Sequence, residues 1–358
     1  MKTATIMALV EGRLKTVGGL SWLLKGGRSG QSYPPVKYIL SLERRSELQG
    51  PKMRICSLLP SATEIAFALG LGDQVVAVSH ECDYPQEASN RPVLTKSTIH
   101  QKIHGSLEVD REVEHRGGDI YEIDEKLLEK LKPDLILTQE LCHVCAVSYT
   151  RVKEAARVLD ADTKIVSLEP TNLEEIVDNI LLVGRMTGRL AEAEKLGSQM
   201  MRRINRVKEK TRAAGRKPRV FFMEWLQPPW AGGHWIPEMI DYSGGVDGLG
   251  RPSKPSYRIG WDEVVRYQPE IIVLSPCGFD TKQVMEAAHV LASYDGWEKI
   301  PAFESSRIYA VNASAYFSRS GPRVVDGLEI LAHITHPELF PENPHAEAVR
   351  MVPKELVQ

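Results

Sequence analysis

Cysteine and histidine are the residues of this 358-residue chain whose types and spacing are best suited to chemistry. They gather in three short stretches: His80-Glu81-Cys82, Cys142-His143-Val144-Cys145 with Glu140 just before it, and Pro276-Cys277-Gly278. Thiolate and imidazole are ligands for zinc, copper, iron or cobalt, and a CxxC pair with a third cysteine nearby suits a soft metal. Cys82, Cys142, Cys145 and Cys277 are the candidate metal ligands. A redox-active Cys142/Cys145 pair and simple packing of small apolar side chains stay open beside that reading.

Aromatic residues form the second concentration. Trp225 is followed by Gln227-Pro228-Pro229-Trp230 and then by Gly232-Gly233-His234-Trp235, a stretch rich in proline and glycine and too irregular for a core. Aromatic ring faces bury much area at little entropic cost, so such a loop suits a flat apolar ligand like a corrin or porphyrin. Phe279 and the run Tyr316-Phe317-Ser318-Arg319 extend the same candidate wall, with Arg319 able to meet a polar ligand edge. The alternative places Trp225 and Phe317 in the core. No GxSxG, Walker A, HExxH or well-placed GxGxxG occurs, so no catalytic residue is assigned and no nucleotide is expected.

These residues need elements to hold them. Arg54 to Leu59 reads as a buried strand that Pro60 ends, and Ser61 with Glu64 reads as a capping box opening a helix to Leu69, with Gly70 as its stop. Further strands are expected at 74–79, 133–138 and 164–168, with helices at 124–131 and 151–159, the alternation of a parallel α/β lobe. In such sheets ligands sit beyond the strand carboxyl ends, and each cysteine-bearing stretch follows a predicted strand. From Thr171 to about Ala214 there is no proline, Thr171 and Glu174 suggest another cap, and apolar residues recur at helical spacing. One helix of that length would run roughly 60 Å. It is expected to link two lobes, with a possible break at Gly184 to Gly188 or Gly197.

A second α/β set follows: strands at 219–224, 270–275 and 307–311, and helices at 236–243 and 324–334. The run of helix, Pro133, Asp134 and apolar strand is echoed by helix, Pro269, Glu270 and apolar strand, suggesting two lobes on one plan. The expected organisation is a basic extension (1–52), an N-terminal lobe (53–170), a linking helix (171–214), a C-terminal lobe (215–345) and a tail (346–358).

Composition sets the outer limits. With 42% hydrophobic and 26% charged residues the chain is a globular protein, and no apolar run approaches the ~20 residues that span a bilayer. The formal charge of −2 gives no reason to expect nucleic acid. It hides an asymmetry: residues 1–52 hold nine Lys/Arg against three Asp/Glu. That segment reads as a disordered tail or a start-site artefact, since its apolar patch is interrupted by Gly18, Gly19 and Ser21. Without a recognisable leader, and with five scattered cysteines, a cytoplasmic monomer is expected.

The stretch Ile55 to Gly70, with Ser57, Leu58, Pro60, Ser61, Thr63 and Glu64, resembles the opening of the iron-siderophore and cobalamin class of substrate-binding proteins. The strand at 133–138, the long helix after Glu169 and the segment Gly321 to Leu331 fit that family in order. His80-Glu81-Cys82, Cys142-His143-Val144-Cys145, Gly233-His234-Trp235 and Pro276-Cys277-Gly278 look like its cobalamin-binding branch. The resemblance covers about Arg54 to Pro337. It implies two α/β lobes with mostly parallel sheets joined by a helical backbone, and cobalamin, another corrinoid or a related metal-tetrapyrrole held in the cleft. It further implies hand-over to an ABC importer permease, and a periplasmic location as the alternative to the cytoplasm. The contrasting expectation is a cytoplasmic metal-binding enzyme or metallochaperone on the same fold.

Overall fold

The computed structural model describes residues 52–98, 106–115, 120–139, 149–159, 162–343 and 345–357. The chain divides after Gly50, and every described residue belongs to the second unit.

The first lobe contains β1 (Ile55–Ser57), α1 (Pro60–Ala68), β2 (Val75–Val78), β3 (Thr95–Ser97), α2 (Ser106–His115), β4 (Tyr121–Ile123), α3 (Glu125–Leu131), β5 (Leu135–Thr138), α4 (Tyr149–Ala155) and β6 (Lys164–Ser167). Its main sheet is parallel throughout, in the order β2-β1-β5-β6, while β3 and β4 pair as a separate antiparallel ribbon. β1 and β5 are buried on both faces. This is why they read in the sequence as continuous apolar runs.

α1 starts differently from the expected capping box. Pro60 occupies the first helical position and Leu59 is the N-cap, with no side-chain cap. Proline has no N–H to satisfy there. Glu64 is therefore released from capping, and its carboxylate accepts two hydrogen bonds from Arg323 of the second lobe. The helix stops at Leu69 and Gly70, the latter at φ +73° as a helix-stop glycine requires.

The linking segment is helical, as expected, but is two helices: α5 (Leu173–Met186) and α6 (Leu190–Arg212). Asn172 caps α5 by accepting from the Glu175 N–H, and Glu175 reaches back to Thr171, one residue later than the expected Thr171/Glu174 pair. The break lies at Gly188, φ +71°. A Cβ added to Gly184 would meet Ala193, and one added to Gly197 would meet Val177, so the two helices run back along each other. Their buried faces join α1 and the second lobe's helices in one core that spans both lobes.

The second lobe contains β7 (Val220–Trp225), β8 (Trp230–Ala231), α7 (Ile236–Tyr242), β9 (Tyr257–Arg258), α8 (Trp261–Tyr267), β10 (Ile271–Leu274), α9 (Thr281–Ala287), α10 (Pro301–Glu304), β11 (Ile308–Val311), α11 (Ala313–Tyr316), α12 (Val324–Thr335) and β12 (Val349–Met351). Its sheet runs β12-β11-β10-β7-β8-β9, parallel across β11-β10-β7 and antiparallel at both margins. Residues 346–358, expected as a tail, supply β12 and a buried Val357 whose carbonyl accepts from Trp297 Nε1. The three-residue Val349–Met351 strand, with Arg350 at its centre, carries too little pattern to stand out in the sequence.

The sequence echo is structural. α3 and α8 both end on a left-handed residue, Lys132 and Gln268. Asp134 then accepts from the backbone N–H of Arg54, and Glu270 from that of Arg219. Arg54 Nε returns a hydrogen bond to Leu131 O, as Arg219 Nε does to Gln268 O. Each lobe thus ties its first strand to the helix and strand that follow with one arginine and one acid.

Candidate binding cleft

Both sheets aim their strand carboxyl ends at a shared cleft. Its lining comes from residues just past those ends: Leu59, Pro60 and Ser61 after β1, Glu81 after β2, Gln139 after β5, Cys277 and Gly278 after β10, and Ser314, Ser318 and Arg319 after β11. The space left between these walls is small, about 40 Å³ for the centre of a water-sized sphere. A larger hollow of about 500 Å³ lies elsewhere, lined by α6 and the start of α12, and no strand end opens into it. Of the predicted site residues, Glu81, Cys277 and Arg319 line the first site.

Arg319 organises the floor. Its guanidinium, only 9% exposed, pairs with Asp83 Oδ1 at 2.5 Å, donates to Glu81 O at 3.1 Å and lies 3.6 Å from Glu64 Oε1. Arg323 binds the same Glu64 carboxylate in a two-pronged contact at 2.6 and 3.0 Å. Ser320 Oγ reaches Ser61 Oγ at 3.3 Å. A carboxylate that is 2% exposed on the first lobe is thereby neutralised by two arginines of the second.

His80 sits behind Glu81. Its Nδ1 is 2.7 Å from Thr95 Oγ1, its Nε2 is 3.3 Å from Glu81 Oε1, and its ring packs on Tyr121. The His80 imidazole beside it holds the Glu81 carboxyl below its usual range despite burial, so the cleft presents a carboxylate.

Cys82 does not face the cleft. It is buried, with its sulfur 3.1 Å from Thr63 Oγ1 and 3.3 Å from Ser79 Oγ, and burial pushes its thiol up. Cys277 does line the cleft. Glu140, Cys142 and Cys145 lie outside the described residues. Among the described residues no three or more His, Cys, Asp or Glu side chains are grouped to hold a metal ion.

The expected aromatic wall divides in two. Trp225, Trp230 and Phe279 come together: Phe279 meets Trp225 edge-on at 5.9 Å, and all three pack on a first-lobe cluster containing Leu58, Leu94, Val109 and Ile120. Trp225 Nε1 donates to Ser106 O of α2 at 2.9 Å. Trp235 and Phe317 instead belong to the core, where Trp235 Nε1 donates to Phe317 O and Phe317 packs on Phe222. His234 holds a left-handed turn, φ +49°, with its backbone N–H on Lys254 O, and burial pushes its imidazole below the usual range. It is not among the residues that line the cleft. Tyr316 packs against His345, with Arg323 nearby, at the edge of the Glu64 cluster.

Sequence reasoning missed Gln139 and Ser314 and read Ser61 only as a helix cap, because hydroxyls and amides are too common to signal a site. It also missed α2 and Arg258, whose guanidinium pairs with Asp110 at 2.7 Å and Glu114 at 2.6 Å across the cleft. The only signal for them was the acidic, amphipathic run from Glu108 to Glu114.

Two α/β lobes joined by helices, with polar and aromatic groups meeting at opposed strand ends, define a two-lobed ligand-binding protein. The chain belongs to the periplasmic binding protein family, whose model matches residues 55–315. A vitamin B12-binding protein of Vibrio cholerae serotype O1 is 28% identical over 289 residues, covering 78% of this chain and 87% of the relative. An uncharacterised ABC transporter substrate-binding lipoprotein, YvrC of Bacillus subtilis strain 168, is 27% identical over 295 residues, covering 81% of this chain and 82% of the relative. The crystal structure of the periplasmic vitamin B12-binding protein BtuF of Vibrio cholerae superposes with a TM-score of 0.59 at 24% identity, covering 80% of this chain and 97% of that one.

The family corrects one expectation. A cytoplasmic location was inferred from the interrupted apolar patch in residues 1–52 and from scattered cysteines. Membership of the periplasmic binding protein family, with a lipoprotein among the relatives, points away from the cytoplasm. The cysteines were a weak guide because Cys56 and Cys82 are small buried side chains, a role open to cysteine in any compartment. Among the described residues no helix is long and apolar enough to cross a membrane.

Proposed function

We propose that the protein binds cobalamin or a closely related metal-tetrapyrrole in the cleft between its lobes and delivers it to an ABC importer permease. The observation that carries this reading is the pairing of two unlike walls. Trp225, Trp230 and Phe279 are grouped on one lobe, covered in this structure by the first-lobe cluster, and Ser61, Glu81 and Gln139 line the hollow from the other. A flat macrocycle with a polar rim needs both. The names of the relatives support the same ligand class, and the family supports presentation to a transporter.

The test is a visible-absorbance and calorimetric titration with cyanocobalamin, with elemental analysis of the purified protein alongside. Saturable binding is expected, and Trp230→Ala should weaken it by about 1–3 kcal/mol with little change in thermal midpoint. Absence of binding would remove the corrinoid reading. Stoichiometric zinc or copper in a colourless protein would favour a metal-handling role for the cysteines.

A further inference from the structure

We propose that α2 (Ser106–His115) is a clasp that occupies the ligand's place on the aromatic wall and must be displaced before ligand can enter. The inference rests on the cleft being the ligand site. It starts from volume: the hollow at the facing strand ends holds about 40 Å³, whereas sites for drug-sized ligands and cofactors hold roughly 300–1,000 Å³. A macrocycle does not fit unless something moves.

The ties between the lobes show what moves. On the side of the linking helices they are buried: Glu64 with Arg319 and Arg323, Ser61 with Ser320, and the Leu173 N–H on Glu238. Breaking a buried ion pair is expensive because a charge is left without its partner. On the other side the ties run through α2. Arg258 of β9 pairs with Asp110 and Glu114, whose side chains are 12% and 59% exposed, that of Arg258 being 42% exposed. The wetter Arg258–Glu114 pair exchanges readily with water. Trp225 adds one buried hydrogen bond to Ser106 O, the carbonyl of the first residue of α2.

What α2 covers is the aromatic wall itself. Ser106 and Val109 are buried, Asp110 and Val113 are partly buried on the same helical face, and Val109 and Val113 join the cluster that receives Trp225, Trp230 and Phe279. Trp230 Nε1 is shut away from solvent with no acceptor among the described residues. Lifting α2 uncovers the three rings together and restores a partner to that N–H, from water or from ligand. α2 thus substitutes for the ligand, and the fraction of molecules with the clasp open scales the apparent affinity.

The test uses the full chain with Asp110→Asn and Glu114→Gln combined, which removes the charges and keeps the shapes. Arg258→Gln, from the other side of the pair, is the second variant. Hydrogen–deuterium exchange at the α2 amides should quicken in both without ligand, and cyanocobalamin should bind about tenfold more tightly to the double variant through a faster on-rate. Unchanged exchange overturns the clasp, as does unchanged or weaker binding in a double variant that still binds. If neither wild type nor variant binds cyanocobalamin, the ligand reading fails, and the clasp stands or falls on the α2 exchange alone.

Discussion

Glu64 is the residue on which the two lobes depend most. It is 2% exposed and faces two guanidinium groups that are 9% and 16% exposed. Replacing it with Gln keeps its volume and leaves both arginines short of a counter-charge, a loss of about 3–5 kcal/mol for a buried pair. Urea unfolding of Glu64→Gln should show a lower midpoint at unchanged slope, the shift multiplied by the slope giving that loss; a midpoint equal to wild type would mean that Asp83 and solvent suffice. The thiols make a second case. Burial pushes Cys56 up to about 12 and raises Cys82 as well, while Cys277 is only half-buried. Only the thiolate is alkylated at a useful rate. Iodoacetamide followed by mass spectrometry should therefore label Cys277 in the folded protein and leave Cys56 and Cys82 until denaturation, with cyanocobalamin slowing Cys277. Labelling of Cys82 as fast as Cys277 would return it to the cleft. Residue type alone could not separate these thiols. Cys82 follows a strand end as Cys277 does, and only the positions of Thr63 and Ser79 turn its sulfur inward. The same limit applied to the tryptophans: Trp230 and Trp235 share one irregular loop, yet one packs against the first lobe and the other enters the core.

At the scale of elements, the strands were legible because parallel strands buried on both faces are uninterrupted apolar runs. Helix starts were less so. Ser61/Glu64 and Thr171/Glu174 both match the spacing of a capping box, but Pro60 pre-empted the first and Asn172 the second. A sequence pattern identifies a cap only when nothing nearby competes for the same backbone N–H groups. The linking helices carry the clearest prediction at this scale. A Cβ on Gly184 would lie 2.4 Å from Ala193 Cβ and 2.9 Å from Arg189 O, neither able to swing away as a flexible side-chain end could. Gly184→Ala gains about 1 kcal/mol of helix propensity against about 1–3 kcal/mol for overpacking, and the rigid neighbours favour the larger cost. A net loss of about 1–2 kcal/mol is expected in urea unfolding; a stabilised variant would show that α5 and α6 separate without penalty.

For the whole molecule, two lobes on one plan could be read from the Pro133-Asp134 and Pro269-Glu270 echo, and each acid proves to tie down the first strand of its lobe. The degree of closure could not be read. It depends on contacts between residues far apart in sequence, such as Trp225 with Ser106 and Arg258 with Asp110, which leave no local pattern. Those contacts decide the sign of the change on binding. A two-lobed protein with an open cleft contracts around its ligand, but here only about 40 Å³ lies between the walls, while a cofactor site needs several hundred. The lobes, or α2 against the second lobe, must part to admit a macrocycle. Small-angle X-ray scattering should therefore show the radius of gyration rising when saturating cyanocobalamin is added. Glu64→Gln, which loosens the opposite side, should start from a larger value and change less. A contraction of the wild-type protein on binding would mean that the closed cleft is not its resting state in solution, and that α2 does not hold the ligand's place.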